Sequence, residues 1–309
     1  MLTTMPDGHE INEISSLQKI RHPELSYLLE MKLHCTWMTL TLTCLGSVTA
    51  LTQVQLVPDT GPQRVFAGEA RQVAVVWRNE DNQLHEGEIR ARILQTSSAT
   101  AMLVSEAAWK RLRVLPQQTL LESAQLDFPA VKVETKFLVR WLENSNTVVG
   151  TTEVLVYPTN LLAELKPLAG DEPLGVFDPQ NQLKPLLKNL NVRFADLENN
   201  NLENFSGRLA IIGPFPTKAQ MREGLMDQIQ ALAKKGAAIV WLQPPPEKGA
   251  KLVPSFYPVA SGTNAVIVIQ PELVANLPGN PQSQLNLIYF CKLALQPQPF
   301  QLPKSPSQP

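Results

Sequence analysis

Histidine and cysteine are nearly missing from this chain: 309 residues hold four of the first and three of the second. From Leu51 onward only His85 and Cys291 remain. A zinc or copper centre needs several imidazole or thiolate ligands together, so no metal is expected. A Ser-His-Asp or Cys-His device needs a histidine beside its nucleophile, and none stands between Glu86 and Pro309. With Cys291 alone beyond residue 50, no internal disulfide can form there, and the fold must rest on its apolar core.

An excess of charge of one sign is missing too. Lys and Arg number 27 against 28 Asp and Glu, and the like charges form no long block. Such a chain has no long-range field for a polyanion, so no nucleic-acid partner is expected. Long apolar runs are also absent. The nearest to one lies in "MKLHCTWMTLTLTCLGSVTALTQ", which begins at Met31, and it falls short of the ~20 apolar residues of a membrane helix. Its basic start at Lys32, brief apolar stretch and small residues at Val48 and Ala50 instead form the pattern of a secretory signal peptide over 31–50.

That pattern predicts an exported protein, periplasmic or extracellular, cut after Ala50, with no membrane span in the mature chain. Residues 1–30 read as an untranslated or disordered leader, with translation starting at Met31. Thr41-Leu42-Thr43 ahead of Cys44 does not match the small-residue run of a lipoprotein anchor.

What is present divides in two. Domains cluster near ~100–150 residues, so the length accommodates a pair of cores. Over 51–158, short runs such as "RQVAVVWRNE", "GEIRARIL" and "KFLVRWLEN" tend to alternate apolar and polar residues, placing Val73, Val75 and Trp77, and again Phe137, Val139 and Trp141, on single strand faces. Turn clusters such as Asn79-Glu80-Asp81-Asn82 separate them. The expectation is an Ig-like antiparallel β-sandwich without the usual Cys-Trp-Cys signature.

Within it, "SATAMLVSEAAWKRL" around Met102 to Leu112 reads as a short helix or a long crossover loop. Trp77, Trp109 and Trp141 read as core in preference to a sugar-stacking platform. His85, in "NQLHEGE", reads as a solvated side chain in a hairpin turn.

Over 159–296 apolar runs alternate with helical stretches: "PLGVFD", "NVRFADL", "GRLAIIGPF", "AAIVWLQ" and "NAVIVIQ" as strands, "QLKPLLKNL" and "SQLNLIYFCKLALQ" as helices. This alternation predicts a parallel sheet in a three-layer α/β domain. The longest helix is placed over "KAQMREGLMDQIQALAKK", capped by Thr217, with Met221, Leu225, Met226, Ile229, Leu232 and Ala233 as its apolar face. The last helix is apolar nearly all round and puts Cys291 in packing. The tail from Pro297 to Pro309, rich in proline, is expected to be disordered.

Ligands of open α/β sheets bind beyond the C-terminal ends of the strands. Those ends offer Asp178, Asp196, the "GPFPTK" turn from Gly213 and the "QPPP" turn from Gln243. A phosphate cradle needs convergent backbone N–H groups, and Pro214 and Pro216 have none to give, so no nucleotide cofactor is expected. Asp178 and Asp196 are the only weak catalytic candidates, and both also read as helix caps or loop residues. Phe215, Thr217, Lys218 and Gln243 are the candidate binding residues. Asn204-Phe205-Ser206 matches an N-glycosylation sequon, relevant only in a eukaryotic secretory pathway.

The order of parts resembles the accessory C-terminal half of large bacterial glycoside hydrolases related to β-galactosidases. The likeness rests on the joint "TTEVLVYPTN", the strand-to-turn segment "GAAIVWLQPP", and the loop "IQPELVANL", where Gln270 stands at a position often held by histidine. It implies an Ig-like sandwich leading into a flavodoxin-like, class I glutamine-amidotransferase-like α/β domain, and an association with carbohydrate. The sequence departs from active amidotransferases in lacking the elbow Cys and its His-Glu partners, and from complete glycosidases in lacking the catalytic barrel. The resulting expectation is an exported, non-catalytic module that binds a glycan or a secreted or envelope protein. The alternatives are a hydrolase or glycosidase subunit using the strand-end carboxylates, or a structural protein of the cell envelope.

Overall fold

The alternation along Val73, Val75 and Trp77 reflects a strand with one buried and one wet face. The computed structural model describes residues 54–144, 146–199, 202–215, 221–243, 255–258 and 264–296. Its first part holds β1 (Val54–Leu56), β2 (Gln63–Phe66), β3 (Gly68–Asn79), β4 (His85–Thr96), β5 (Ala101–Val114), β6 (Thr119–Phe128), β7 (Thr135–Glu143) and β8 (Thr147–Tyr157). They form two sheets, ordered β1-β3-β6 and β2-β8-β7-β4-β5. All pairings are antiparallel except β2 with β8.

Inward residues of both sheets share one core. Val73, Val75 and Trp77 come from the first sheet, and Ile89, Ile93, Val139, Trp141 and Val154 from the second. Trp77, Trp109 and Trp141 cluster at centroid distances of 5.2 to 6.1 Å, and such aromatic pairs add ~0.5–1.5 kcal/mol each beyond their area. The indole N–H of Trp141 donates to Thr152 Oγ1 at 3.0 Å, which satisfies a buried donor. At Gly150 in β8 a Cβ would stand 2.2 Å from Leu56 Cβ, so the close approach of β1 requires glycine there.

The second part is a six-stranded sheet of order β10-β9-β11-β12-β14-β13, where β9 is Leu174–Phe177, β10 Phe194–Asp196, β11 Leu209–Ile212, β12 Ala238–Leu242, β13 Ser255–Pro258 and β14 Ala265–Ile269. Only β13 at the edge runs antiparallel. Residues of β9, β11, β12 and β14 are buried throughout, as strands covered on both faces must be. Leu209, Ile211, Val240 and Ile267 pack against α1 (Leu165–Ala169), α2 (Lys184–Asn189) and α4 (Pro281–Leu295). Ala210, Ile212, Ile239 and Trp241 face α3 (Leu225–Lys234).

The described chain is therefore a mixed β and α/β protein. Phe66 at the end of β2 and Tyr157 at the end of β8 belong to the same buried cluster as Leu161, Leu162 and Leu287, so the sandwich sits on the helical layer through these aromatics. The Tyr157 hydroxyl donates to Glu134 at 2.7 Å, and Lys292 on α4 pairs with Glu164 at 2.8 Å.

The segment from Met102 to Leu112 is neither helix nor loop. It forms most of β5, paired antiparallel to β4 along its whole length with two register irregularities. Ala, Met, Leu, Glu and Lys favour a helix locally, but the β4 ladder satisfies the backbone and overrides that preference. His85 is not a solvated turn residue: it opens β4 and is 6% exposed. The long helix begins only at Leu225, after Gly224 in the left-handed conformation (φ 76°), and Met226 is exposed, not part of its buried face. Thr217, Lys218, residues 1–50 with the predicted leader and signal peptide, and the tail from Pro297 lie outside the described residues. Among the described residues no helix is long and apolar enough to cross a membrane.

Candidate functional site

In the order β10-β9-β11-β12-β14, the chain moves from β9 outward to β10 and then back across β9 to β11. The gap beyond the C-terminal ends of β9 and β11 is where such a sheet opens a crevice. A cleft of about 240 Å³ lies at these strand ends. Gln180 and Gln182 after β9, Pro214 and Phe215 after β11, and Glu272 and Asn276 after β14 line it.

Each wall has a local cause. Gly213 (φ 98°) donates its N–H to Phe177 O at 2.8 Å, and a Cβ there would stand 2.7 Å from Leu242 O, so only glycine lets the chain turn so close to β12. The Gly213-Pro214 peptide is cis. Phe215 then folds back, wholly buried, against Phe177 at a centroid distance of 5.6 Å. The wall after β14 is tied to α4. Ser283 donates to Ala275 O at 2.6 Å, Gln284 to Leu277 O at 2.8 Å and Asn286 to Leu273 O at 2.7 Å. Asn280 caps that helix, accepting the Gln282 N–H at 2.9 Å.

Asp178 sits at the end of β9, 1% exposed. Its carboxylate accepts the N–H groups of Gln182 (3.1 Å), Leu183 (2.7 Å) and Lys184 (3.0 Å), which start α2. Its own N–H donates to Glu198 at 2.8 Å. Asp196, at the end of neighbouring β10, accepts from Lys184 Nζ at 3.0 Å and from the Glu198 N–H at 3.0 Å, while Lys184 also reaches Glu198 at 2.6 Å.

The two aspartates thus stand on adjacent strands, joined through Lys184 and Glu198. Burial pushes Asp196 up, but its hydrogen bond to the Lys184 ammonium, the Glu198 and Asn199 N–H groups and the Lys184 charge together outweigh this and hold the carboxyl below its ordinary value. Burial would lower Lys184, yet its bonds to Glu198 and Asp196 raise it on balance. Both side chains are kept charged and engaged with one another.

Of the binding candidates, Phe215 lines the cleft. Gln243, half-buried at the end of β12, donates its N–H to Ile269 O at 3.1 Å and is not part of the lining. Sequence reasoning missed Gln180, Gln182, Glu272 and Asn276 as lining residues and Lys184 as the bridge. The signal that locates most of them is their position directly after β9 and β14, since loops at those strand ends border the crevice. Asn204 of the sequon is exposed at the end of a 3-10 turn, Leu202–Asn204. Among the described residues no group of His, Cys, Asp and Glu is placed to hold a metal ion.

No family model and no curated protein matches this chain. Solved structures resemble parts of it. An alkylpurine DNA glycosylase, AlkC, from Pseudomonas fluorescens is 12% identical over 34% of this chain and 31% of its own, with a TM-score of 0.27. A β-glucosidase from Listeria innocua is 15% identical over 35% of this chain and 16% of its own, with a TM-score of 0.25. A cycloisomaltooligosaccharide glucanotransferase from Paenibacillus sp. is 12% identical over 62% of this chain and 27% of its own, with a TM-score of 0.26. The match therefore spans less than a third of each of these proteins.

Proposed function

We propose that this is an exported, non-catalytic protein: an Ig-like sandwich over 51–158 and a class I amidotransferase-like α/β domain over 159–296, acting as a glycan- or protein-binding accessory module related to glycoside hydrolases. The observation that carries the non-catalytic reading is the engagement of the strand-end carboxylates. Asp178 holds three backbone N–H groups and Asp196 holds the Lys184 ammonium, so neither is presented to the cleft as a free base or acid. A general base must reach the proton it removes, and these oxygens already have partners.

The fold reading is supported by the strand order β10-β9-β11-β12-β14, which, counting only the parallel strands from β9, is the 2-1-3-4-5 order of flavodoxin-like sheets. The binding reading is supported by the chemistry of the cleft. Two glutamines, an asparagine and one carboxylate stand beside the apolar rings of Pro214 and Pro271, a combination that orients neutral, hydroxyl-rich or peptide-like groups.

The export step is tested by N-terminal sequencing of the protein recovered outside the cytoplasm, with Leu51 as the expected first residue. The site is tested by screening that protein against a panel of polysaccharides and glycans for binding and for turnover, in parallel with Asp178→Ala and Asp196→Ala. Binding without turnover is the expected result. Turnover abolished by either substitution would establish the hydrolase reading in its place.

A further inference from the structure

The opposite end of the six-stranded sheet, where the chain enters β11 and β12, holds a second hollow of about 450 Å³, within the ~300–1,000 Å³ of small-molecule sites. Its floor is apolar: Phe205, Leu232 and Ala237 are each less than a tenth exposed. Phe205 reaches that position because two glycines leave room for its ring. A Cβ at Gly207 would come 2.2 Å from Phe205 Cζ, and one at Gly175 in β9 would come 2.8 Å from the same atom. Asn204, Ser206 and Arg208, all exposed, form the polar wall, and Lys235 at the end of α3 borders the other side.

Four backbone N–H groups that border this hollow are already committed. Phe205 donates to Leu202 O at 3.1 Å, Gly236 to Ala233 O at 2.9 Å, Ala237 to Leu232 O at 3.4 Å and Ala238 to Arg208 O at 2.8 Å. They cannot converge on an anion as a phosphate cradle requires. The same bonds occupy the Leu232 and Ala233 carbonyls at the end of α3, and Gly236 O accepts from Asn264 Nδ2 at 2.6 Å. The groups left open are side chains: the Asn204 amide, the Ser206 hydroxyl and the Arg208 guanidinium, which has no acidic partner among the described residues.

We propose that this hollow binds a uronic acid, with the sugar carboxylate on Arg208, ring hydroxyls on Asn204 and Ser206, and the apolar face of the ring on the floor of Phe205, Leu232 and Ala237. A guanidinium presents a planar fork that a carboxylate meets with two parallel hydrogen bonds. An amide and a hydroxyl each donate and accept, as a hydroxyl-rich ring requires. A neutral sugar would leave the guanidinium unpaired, and a phosphate would find no set of backbone donors beside it. The site is independent of the strand-end cleft, whose only charged lining residue among those described is Glu272, so the two ends of the sheet select ligands of different charge.

The test is titration of the isotopically labelled full chain with D-glucuronate, an oligogalacturonate, glucose and inorganic phosphate, followed by its amide resonances. Both uronates should shift the amides of 204–208 and 235–237 in a saturable way. Tighter binding of the oligomer would identify a residue of a polysaccharide as the ligand, and equal binding a free sugar acid; both outcomes support the site. Arg208→Gln alters an exposed side chain, and it should weaken uronate binding at least ten-fold while circular dichroism stays unchanged. Arg208→Lys should recover only part of the loss, and Glu272→Gln in the cleft should leave uronate binding as it was. Glucose or phosphate binding as tightly as the uronates, shifts confined to 271–277, wild-type affinity in Arg208→Gln, or no saturable shift with either uronate would each overturn the proposal and leave the reading of the cleft standing.

Discussion

His85 Nε2 stands 2.8 Å from Glu143 Oε1 inside the sandwich, with both side chains less than a tenth exposed. His85 opens β4 and Glu143 closes β7, each on the inward phase of its strand. Gly87 makes the contact possible: a Cβ there would stand 2.2 Å from Glu143 Oε1 and 3.2 Å from His85 Nε2. Removing Glu143 takes a polar neighbour from a buried imidazole, so Glu143→Ala should lower unfolding free energy by about 1–3 kcal/mol in urea titrations. Gly87→Ala should destabilise the wild-type protein and cost much less in the Glu143→Ala background. Additive losses would show that the glycine serves something other than this pair.

Asp178 is assigned a structural task by its three backbone partners. Asp178→Ala should cost about 1.5–3 kcal/mol, the worth of hydrogen bonds to a charged acceptor, and should speed amide exchange at Leu183 and Lys184. Unchanged exchange at those amides would contradict the assignment.

The Lys184 bridge makes stability depend on pH at both extremes. Asp196 is held below its ordinary value, so its contribution is present above ~4 and is lost as pH falls through the depressed value. Lys184 is held above its ordinary value, so its contribution is full below ~10.4 and is lost as pH rises through the raised value. Melting temperatures of Lys184→Met should be lower at neutral pH and should fall less steeply than wild type in acid and in alkali. Parallel curves for the two proteins would count against the bridge.

The cleft wall after β14 owes its position to three side chains of α4. Ser283→Ala together with Asn286→Ala should accelerate amide exchange across 271–277 and leave the sandwich unaffected. The effect should be local, since each lost bond is worth about 1 kcal/mol.

Cys291 is wholly buried on α4, and burial pushes its thiol far above the ordinary range. Labelling at Cys291 should therefore follow global unfolding and stay slow under native conditions. Rapid modification without denaturant would show that α4 opens locally.

Strands such as β3 and β7 were legible because their signal is local. Alternation places Val73, Val75 and Trp77, or Phe137, Val139 and Trp141, on one side whatever the neighbours are, and buried runs such as Leu209–Ile212 announce strands covered on both faces. Asp178 and Asp196 were found at strand ends by the same local rule. The bridge between them was not, since Lys184 belongs to another element and its two carboxylate partners meet it only when β9 and β10 pair. The cleft's amides, Gln180, Gln182 and Asn276, carry no pattern of their own and take meaning from the crevice they border.

The residues alone determined the scarcity of metal ligands and proton shuttles, the period of each strand, and the lack of backbone donors at Pro214, because these depend on composition and on near neighbours in the chain. Tertiary structure decided that Met102 to Leu112 is a strand and that His85 is buried against Glu143. Each depends on a partner strand distant in sequence, whose contacts outweigh the fraction of a kcal/mol per residue in local preference.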